Sequence, residues 1–398
     1  MNILVTGAKG FVGKNLCEAL KNVRDGKNRT VDFCVDEIFE YDIDTAPELL
    51  DTYCKEADFV FNLAGVNRPQ TNEEFMKGNF GFASVLLGTL KKYGNKSPIM
   101  LSSSVQASLA GRFSGSEYGK SKKAGEDLFL EYGKETGAKT LIYRFPNVFG
   151  KWCRPNYNSA VATFCNNIAN DLPIQVNDRS TELELVYIDD IVKEMFSAIK
   201  GAEHRCEFDG LDPVPAKDGA YCHVPTTYKK TLGEIVDLLY KFKEQPKTFF
   251  IPELKSESFE KKLFSTYLSY LPKSAMKFPF ITNVDARGSF TELFKTSSFG
   301  QVSVNVSKPN IVKGEHWHDS KWEIFVVVKG NAIIRERKLG SDEIIEFKVS
   351  GDKPEAVYML PGYTHSIENV SETEELITIM WANETFDKTR PDTFYEKV

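Results

Sequence analysis

The first half of the chain alternates short apolar runs with longer stretches of helical periodicity. Ile3-Leu4-Val5 is an apolar run that leads through a glycine turn into a helical pattern over 14–20. Further apolar runs occupy 57–65 and 98–101, and the interrupted apolar positions at 37–41 predict another strand. Strands that alternate with helices in this way predict an α/β fold with a doubly wound parallel sheet.

The second half of the chain has a different pattern, in which apolar and polar residues alternate between turn residues. This alternation is clear over 301–307, and the apolar run 324–328 predicts a buried strand. Such a pattern predicts an all-β barrel or jelly roll. Between the halves, 231–243 predicts an amphipathic helix. We place the domain boundary near Leu271-Pro272, which gives a first domain over 1–272 and a second over 273–398.

Composition and charge narrow the class of protein. The length of 398 residues favours about two domains. The formal net charge of -6 argues against a nucleic-acid or anionic membrane surface, and no apolar run reaches the roughly 20 residues of a spanning helix. The seven cysteines are scattered without a Cys-x-x-Cys pair, so we expect no disulfide framework. The first residues do not form a signal peptide, and we expect a cytoplasmic protein without nucleic-acid or membrane partners.

The turn after the first apolar run has the spacing of a dinucleotide-binding loop. Its three glycines stand between a strand and a helix, where they allow a tight turn, a close approach to a pyrophosphate, and helix–strand packing. The helix amino terminus favours the negative charge of the cofactor. A later strand ends in small residues suited to the nicotinamide ribose. The pattern therefore predicts a Rossmann-type cofactor site made of Gly7, Lys9, Gly10, Phe11, Val12, Gly13, Leu63, Ala64 and Gly65.

The choice between NADH and NADPH stays open at this point. Asp42 or Asp44 follows the strand predicted at 37–41, and a carboxylate there binds the ribose hydroxyls and favours NAD. Lys9 favours NADPH instead, because its ammonium group can pair with a 2′-phosphate. We include Asp42 among the predicted cofactor-binding residues.

Tyr118 and Lys122 form a candidate catalytic pair. They are one helical turn apart and therefore lie on one helix face. The lysine is expected to lower the pKa of the phenol, so that Tyr118 passes a proton to a carbonyl oxygen as hydride arrives. A serine at the end of the preceding strand orients that oxygen. Ser104 is the predicted serine and Ser103 the alternative, while Tyr118 and Lys122 are also expected to contact the cofactor.

These residues resemble the extended short-chain dehydrogenase/reductase family, as do Tyr143 to Gly150 and Val186 to Ile191. The resemblance implies a nucleotide-linked sugar as substrate, with Asn147 and the segment after it approaching that sugar. Arg179 either meets the diphosphate or is solvated.

A second constellation points to a metal. Three of the five histidines in the chain lie in two short segments beside a glutamate, and His316 and His318 share one face if their segment is extended. Imidazole and carboxylate groups suit Zn²⁺ and other divalent metals, and the sequence does not settle which one binds. The predicted ligands are His316, His318, Glu323 and His365.

These residues carry both motifs of the cupin family. The first motif runs from His316 through Glu323 to Gly330, and the second contains Gly362, His365 and Asn369. A proline directly before Gly362 and the lack of a glycine six residues ahead of His316 depart from the family pattern, but both are turn details. The resemblance implies a jelly-roll barrel with these four side chains in its interior.

The segment 283–292, followed by Gln301, Asn305 and Gly314-x-His316, also resembles the nucleotide-sugar 3,5-epimerases, which are cupin-fold proteins. In that family a histidine at the place of His316 removes a proton beside a keto group, and a lysine stands in place of Glu323. His316 is therefore a ligand, a base, or neither alone. The resemblance implies that Arg287, Gln301 and Asn305 contact substrate.

The order of the two halves resembles bifunctional enzymes of capsular polysaccharide synthesis, including the segment 64–69, which adds Asn67 and Arg68 as substrate-binding residues. This resemblance implies a UDP-2-acetamido-2,6-dideoxy-4-hexulose that is epimerised at C3 by the cupin and reduced at C4 with NADPH. The product would be UDP-N-acetyl-6-deoxy-L-talosamine, on the route to UDP-N-acetyl-L-fucosamine. Zinc and a homodimer are implied as well.

Two alternatives remain. In the first alternative, the amino-terminal domain is a dehydratase or a 4-epimerase rather than a reductase. Val105-Gln106 after the serine run argues against a dehydratase, because the acidic pair typical of dehydratases is lacking there. Alternatively, the cupin is a structural, metal-stabilised dimerisation module beside a plain reductase.

Overall fold

The structure is a computed structural model that describes residues 1–67, 71–298, 300–387, 389 and 391–398. The chain divides into two compact units, one formed by Met1–Leu239 with Lys262–Leu271 and the other by Tyr240–Lys261 with Pro272–Val398. The boundary predicted at Leu271-Pro272 coincides with one of these divisions. Residues 240–261, which the sequence assigned to the first domain, group with the second unit, where the backbone groups of Phe249 and Lys295 are hydrogen-bonded.

The first unit contains a mainly parallel sheet with helices on both faces. Its eight strands have the order β2-β1-β3-β4-β5-β10-β8-β9, and a separate three-stranded sheet has the order β11-β7-β6. The strands are β1 (Asn2–Thr6), β2 (Glu37–Tyr41), β3 (Phe59–Asn62), β4 (Ile99–Ser104), β5 (Thr140–Phe145), β6 (Asn147–Phe149), β7 (Glu182–Tyr187), β8 (Arg205–Asp209), β9 (Asp212–Pro215), β10 (Tyr221–Cys222) and β11 (Tyr228–Thr231).

The helices of the chain belong largely to the same unit. They are α1 (Phe11–Arg24), α2 (Leu49–Glu56), α3 (Asn72–Phe75), α4 (Phe82–Lys92), α5 (Glu117–Thr136), α6 (Ala160–Ala169), α7 (Ile188–Ile199), α8 (Leu232–Thr248) and α9 (Phe259–Leu268). A π-helical turn, Met76–Gly81, joins α3 to α4. Within the described residues, no helix is long and apolar enough to cross a membrane.

Alternation along β1 explains why helices cover both faces of the sheet. Ile3 and Val5 pack with Leu16 and Leu20 of α1 in one buried cluster, whereas Leu4 belongs to the cluster on the opposite face. Each fully buried leucine contributes about 1.5–3 kcal/mol. The α/β prediction and the strand predicted at 37–41 are both confirmed.

The strand order places a crevice at the carboxyl end of β1. The chain leaves β1 for β2 on one side and returns to β3 on the other, so the connections diverge between β1 and β3. Cofactors of doubly wound sheets bind where such connections diverge.

The second unit contains two antiparallel sheets, as the alternating pattern predicted. Their strand orders are β12-β13-β14-β21-β16-β19 and β18-β17-β20-β15-β22. A buried cluster that includes Phe325, Ile334 and Ile367 contains residues from both sheets. The strands are β12 (Thr282–Asp285), β13 (Gly288–Thr296), β14 (Gly300–Ser307), β15 (Val312–Trp317), β16 (Glu323–Lys329), β17 (Asn331–Lys338), β18 (Ile344–Ser350), β19 (Ala356–Met359), β20 (Tyr363–Asn369), β21 (Leu376–Ala382) and β22 (Phe394–Tyr395).

Candidate functional site

The glycine turn between β1 and α1 has the geometry of a dinucleotide loop. Gly7 has a positive φ of 69°, and a Cβ at this position would lie 2.7 Å from the backbone nitrogen of Ala64. A Cβ at Gly13 would lie 2.1 Å from the carbonyl oxygen of Gly7, so helix and turn pack without room for a side chain. α1 begins at Phe11 without a side-chain cap. Its first backbone N–H groups therefore suit an anion.

Two acidic residues that follow β2 contact Lys9 of this turn. The backbone N–H of Lys9 donates to Asp42 Oδ2 at 2.7 Å, and the Lys9 ammonium group is paired with Asp44. This ion pair is exposed on both sides. The two residues that the sequence weighed for the cofactor choice therefore neutralise each other in this structure, and a 2′-phosphate would have to compete with Asp44 for Lys9.

The predicted catalytic residues converge at the ends of β4 and α5. Ser104 lies beside the half-buried Tyr118, close enough for its hydroxyl group to lower the pKa of the phenol. Lys122 Nζ donates to the carbonyl oxygen of Ser102 at 3.0 Å and lies 5.8 Å from the centre of the Tyr118 ring. A Cβ at Gly65 would be 3.0 Å from Lys122 Nζ, so the predicted nicotinamide-ribose segment borders the same group.

The expected effect of Lys122 on the Tyr118 phenol is not seen. Burial raises the pKa of Tyr118, and the neighbouring Ser104 side chain opposes that rise. Burial also lowers the pKa of Lys122 to about 8, with Glu126 acting in the opposite direction. Burial is the largest effect on the pKa of each group, and neither group contributes to the shift of the other.

The two serines weighed from the sequence have different surroundings. Ser103 donates to Glu126 Oε1 at 2.6 Å, and the same carboxylate receives two hydrogen bonds from Arg144, at 2.9 and 2.7 Å. Ser103, Glu126 and Arg144 are all buried. Ser103 is therefore engaged in a structural network, whereas Ser104 faces Tyr118.

Asn79 joins this site although no pattern in the sequence selects it. It lies in the π-helical turn, where its amide accepts from Val66 N at 3.0 Å and donates to Val66 O at 3.1 Å and to Ser121 Oγ at 3.0 Å. Ser121 is next to Lys122 in α5. Asn79 thus connects the loop after β3 to the catalytic helix, and π-helical turns often occur at functional sites.

The substrate-binding residues predicted in the first unit are not all brought together. Asn67 is exposed in the loop after β3, and Arg68 lies outside the described residues. Asn147 Nδ2 donates to the carbonyl oxygen of Glu184 at 3.1 Å. Arg179 is half exposed and paired with Asp237 at 2.7 Å, on the side of α8.

The four predicted metal ligands form one cluster in the second unit. One ligand atom from each of His316, His318, Glu323 and His365 lies within 4.8 Å of the others. His316 and His365 are direct cross-strand partners on β15 and β20, with ring centres 4.6 Å apart, and a bulge at Glu315 with φ of 60° precedes His316. Glu323 opens β16 in the other sheet, so the cluster lies between the sheets rather than on neighbouring strands only.

The cluster suits a divalent cation. In the described part of the chain, the Nε2 atoms of His318 and His365 and Oε2 of Glu323 are buried without a hydrogen-bond partner. Glu323 Oε2 lies 3.6 Å from His318 Nε2 and 3.7 Å from His365 Nε2. Buried ligand atoms that converge without hydrogen-bond partners match the coordination of one metal ion by three imidazoles and one carboxylate.

The charges of the cluster also suit a metal. Burial lowers the pKa of His316, and it lowers the pKa of His365 to about 3. Burial opposes ionisation of Glu323, but His318, Lys321 and His365 together bring its pKa to about 2. Neutral imidazoles and an ionised carboxylate are the forms that coordinate metals.

Two cavities border this cluster. The larger, of about 400 Å³, is lined by His316 and by the predicted substrate residues Arg287 and Asn305. The smaller, of about 260 Å³, is lined by Glu323 and the predicted residue Gln301. Phe290 and Met380 line both cavities. The arrangement thus brings the predicted substrate residues of the second unit to the metal cluster.

Sequence reasoning missed three charged residues around this cluster. Lys313 lines the larger cavity and donates to Asn305 Oδ1 at 2.7 Å, and burial lowers its pKa. Lys321 lies 3.0 Å from Glu323 Oε1. Asp392 accepts hydrogen bonds from the loop between His318 and Glu323. The two lysines adjoin the histidine motif and could have been noticed, whereas Asp392 stands far along the chain without a motif.

Comparison with known proteins matches both halves of the chain. Residues 3–205 match the NAD dependent epimerase/dehydratase family, and residues 283–394 match the polysaccharide biosynthesis C-terminal domain. The UDP-glucose 4-epimerase of Thermus thermophilus, solved with NAD, superimposes with a TM-score of 0.51 at 18% identity over 68% of this chain and 99% of its own. That likeness shows the fold of the first unit alone.

Two relatives match the chain over its whole length. A Pseudomonas aeruginosa protein, UDP-2-acetamido-2,6-beta-L-arabino-hexul-4-ose reductase, is 39% identical over 99% of this chain and 98% of its own. The capsular polysaccharide assembling protein CapF of Staphylococcus aureus is 49% identical, with a TM-score of 0.87 and complete coverage of both chains. The resemblance to bifunctional capsular enzymes is thereby confirmed. The chain belongs to the NAD dependent epimerase/dehydratase family and carries a polysaccharide biosynthesis C-terminal domain.

Proposed function

We propose that this chain is a bifunctional nucleotide-sugar enzyme of surface polysaccharide synthesis. Its cupin unit epimerises C3 of a UDP-2-acetamido-2,6-dideoxy-4-hexulose, and its first unit reduces the C4 keto group to give UDP-N-acetyl-6-deoxy-L-talosamine, en route to UDP-N-acetyl-L-fucosamine. The observation that carries this proposal is the presence, in one chain, of the Ser104–Tyr118–Lys122 group and the four-residue metal cluster. The name of the full-length Pseudomonas aeruginosa relative supports the substrate class.

The reduction needs a hydride and a proton. A bound nicotinamide cofactor would supply the hydride to C4. Tyr118 gives its phenolic proton to the C4 oxygen, and Ser104, which lies beside Tyr118, orients that oxygen. Lys122, held by the carbonyl oxygen of Ser102 and lying next to Gly65, is placed to hold the nicotinamide ribose beside Tyr118.

NADPH is the proposed cofactor, with NADH as the alternative. Lys9 lies in the glycine turn between β1 and α1, next to the end of β2. The adenosine ribose of a dinucleotide lies at this place in the fold. Its pairing with Asp44 is an exposed ion pair, which is worth little, so a 2′-phosphate competes well for the ammonium group.

The epimerisation exchanges one proton at C3. This proton is acidic because the neighbouring C4 keto group delocalises the charge left behind, and its return from the opposite face inverts the centre. His316 lines the larger cavity and is a ligand or the base. Zn²⁺, or another divalent metal, held by His316, His318, Glu323 and His365 would supply a Lewis acid for the developing enolate oxygen.

The protein is further proposed to be a cytoplasmic homodimer. The apolar side chains of Ile344, Ile345 and Phe347 are exposed on β18, which lies at the edge of its sheet. Exposed edge strands with apolar side chains favour association with another chain.

Product analysis tests the bifunctional proposal. The wild-type protein is incubated with the keto-sugar nucleotide and NADPH, and the product is examined by NMR. We expect one NADPH consumed per sugar, a hydroxyl group at C4, and an inverted C3 centre. A product reduced at C4 with its C3 configuration retained would instead identify a plain reductase with a structural cupin.

A further inference from the structure

A short segment near the end of the second unit is hydrogen-bonded to the loop between two of the predicted metal ligands, His318 and Glu323. This strap, residues 391–396, includes β22, which pairs with β15 so that His316 lies opposite Tyr395 and Trp317 opposite Phe394. The rings of Trp317 and Phe394 have centres 4.7 Å apart. The backbone N–H of Glu396 donates to Glu315 O at 3.0 Å. The strap therefore borders the strand that carries His316.

Asp392 of the strap accepts three hydrogen bonds from consecutive backbone groups. Its Oδ1 accepts from Asp319 N at 2.7 Å, and its Oδ2 accepts from Ser320 N at 2.9 Å and from Lys321 N at 2.8 Å. These three residues make up most of the loop between His318 and Glu323. One carboxylate thus fixes the backbone that separates two metal ligands in sequence.

The backbone of Asp392 also determines which nitrogen of His318 is available. The carbonyl oxygen of Asp392 can only accept, so His318 Nδ1 must carry the proton of the hydrogen bond between them. The lone pair of the neutral ring is then on Nε2, the buried atom that lies 3.6 Å from Glu323 Oε2 and has no hydrogen-bond partner in the described part of the chain. Partners of this kind orient metal-binding histidines and fix their tautomer.

We propose that Asp392 is a positioning residue of the metal site, through its carboxylate on the 319–321 loop and its carbonyl group on His318. The proposal rests on the metal site of the proposed function. It differs from the ligand assignment because Asp392 is not one of the four residues that could hold the metal. Its loss should loosen His318 and Glu323 together and weaken metal binding by about 10–100-fold, the range usual for such outer partners.

The test measures Zn²⁺ affinity of the full chain after removal of metal by a chelator, with a chromophoric chelator as competitor. Asp392→Ala removes all three acceptor contacts, and Asp392→Asn keeps one oxygen acceptor. Asp342→Ala, which removes an exposed carboxylate of the same unit, is the matched control. We expect Asp392→Ala to bind Zn²⁺ about 10–100-fold more weakly, Asp392→Asn to lie between it and wild type, and Asp342→Ala to equal wild type.

A second readout separates positioning from general stability. Co²⁺ in the wild-type protein reports its coordination through visible absorption bands, and we expect Asp392→Asn to alter these bands while apo-protein thermal unfolding stays unchanged. If Asp392→Ala does not fold, Asp392→Asn carries the comparison. Wild-type affinity and spectrum in the Asp392 variants would overturn this inference and leave the metal site intact. Failure of the wild-type chain to bind Zn²⁺ or Co²⁺ would overturn both.

Discussion

The ammonium group of Lys122 donates to the carbonyl oxygen of Ser102 at 3.0 Å, and this hydrogen bond joins helix α5 to the end of strand β4. This contact fixes the distance between Tyr118, on the same helix, and Ser104, at the end of the same strand. The proposed reductase site thus lies where a helix face and a strand end meet, on elements positioned by the sheet rather than on a loop.

The buried Lys122 predicts an alkaline limit to the reduction. Burial lowers its pKa to about 8, so the ammonium form predominates below that pH and is lost as the pH rises through it. Since this charge is proposed to hold the nicotinamide ribose beside Tyr118, kcat/KM for reduction should fall about tenfold per pH unit above this value. Lys122→Arg, which stays charged, should be slower at neutral pH but lack this alkaline limb. A wild-type profile that is flat up to pH 10 would contradict the assignment.

The buried pair of Glu126 and Arg144 predicts a stability effect. Both side chains are buried, and Glu126→Gln would leave the Arg144 guanidinium uncompensated. We expect a loss of about 3–5 kcal/mol in the unfolding free energy of the first unit, measured by urea denaturation. Glu117→Gln removes an exposed carboxylate of the same helix and should cost less than about 1 kcal/mol. Equal effects of the two substitutions would show that the buried network is unimportant.

The cluster of three histidines and one glutamate predicts one bound metal ion per chain. His365→Gln removes a fully buried side chain that is proposed as a ligand, so bound zinc should fall from about one equivalent per chain to near zero by elemental analysis. His204→Gln, which changes a half-exposed histidine paired with Glu194, should leave the zinc content unaltered. A His365→Gln protein that retained its zinc would rule out the assigned cluster.

The position of Lys9 predicts a change in cofactor preference. Lys9→Ala removes the cation proposed to bind the 2′-phosphate, and a charged hydrogen bond is worth about 1.5–3 kcal/mol, which corresponds to roughly 10–100-fold in kcat/KM. We expect this loss with NADPH and little change with NADH. As a control, Lys27→Ala removes an exposed lysine of the same unit. An equal loss of kcat/KM with both cofactors would show that Lys9 does not bind the 2′-phosphate.

The sequence predicted most of the fold because hydrophobic periodicity and glycine spacing are local signals. The strand Glu37–Tyr41 and the glycine turn at Gly7 are both found where the pattern placed them. Residues 240–261 group with the second unit through tertiary packing, such as the hydrogen bond between Lys295 N and Phe249 O, which the polar composition of that stretch does not reveal.

The sites show the same contrast. His316, His318, Glu323 and His365 could be predicted because their spacing in the sequence matches a known motif. Asp392 was missed because its partner His318 is 74 residues away, and a carboxylate that binds backbone N–H groups has no sequence signature. The pKa of Tyr118 was mispredicted for a related reason, since burial depends on the folded surroundings rather than on the Tyr-x-x-x-Lys spacing.

The central claim is that one chain performs both steps, and deuterium exchange tests it most directly. The Tyr118→Phe protein, which lacks the proton donor for reduction, is incubated with the keto-sugar nucleotide in deuterated water, with and without the additional change His365→Gln. NMR should show deuterium entering C3 in the single variant, without net reduction, and little entering in the double variant. If C3 kept its proton while the wild-type chain still oxidised NADPH with that sugar, the cupin would be structural and the bifunctional account would be wrong.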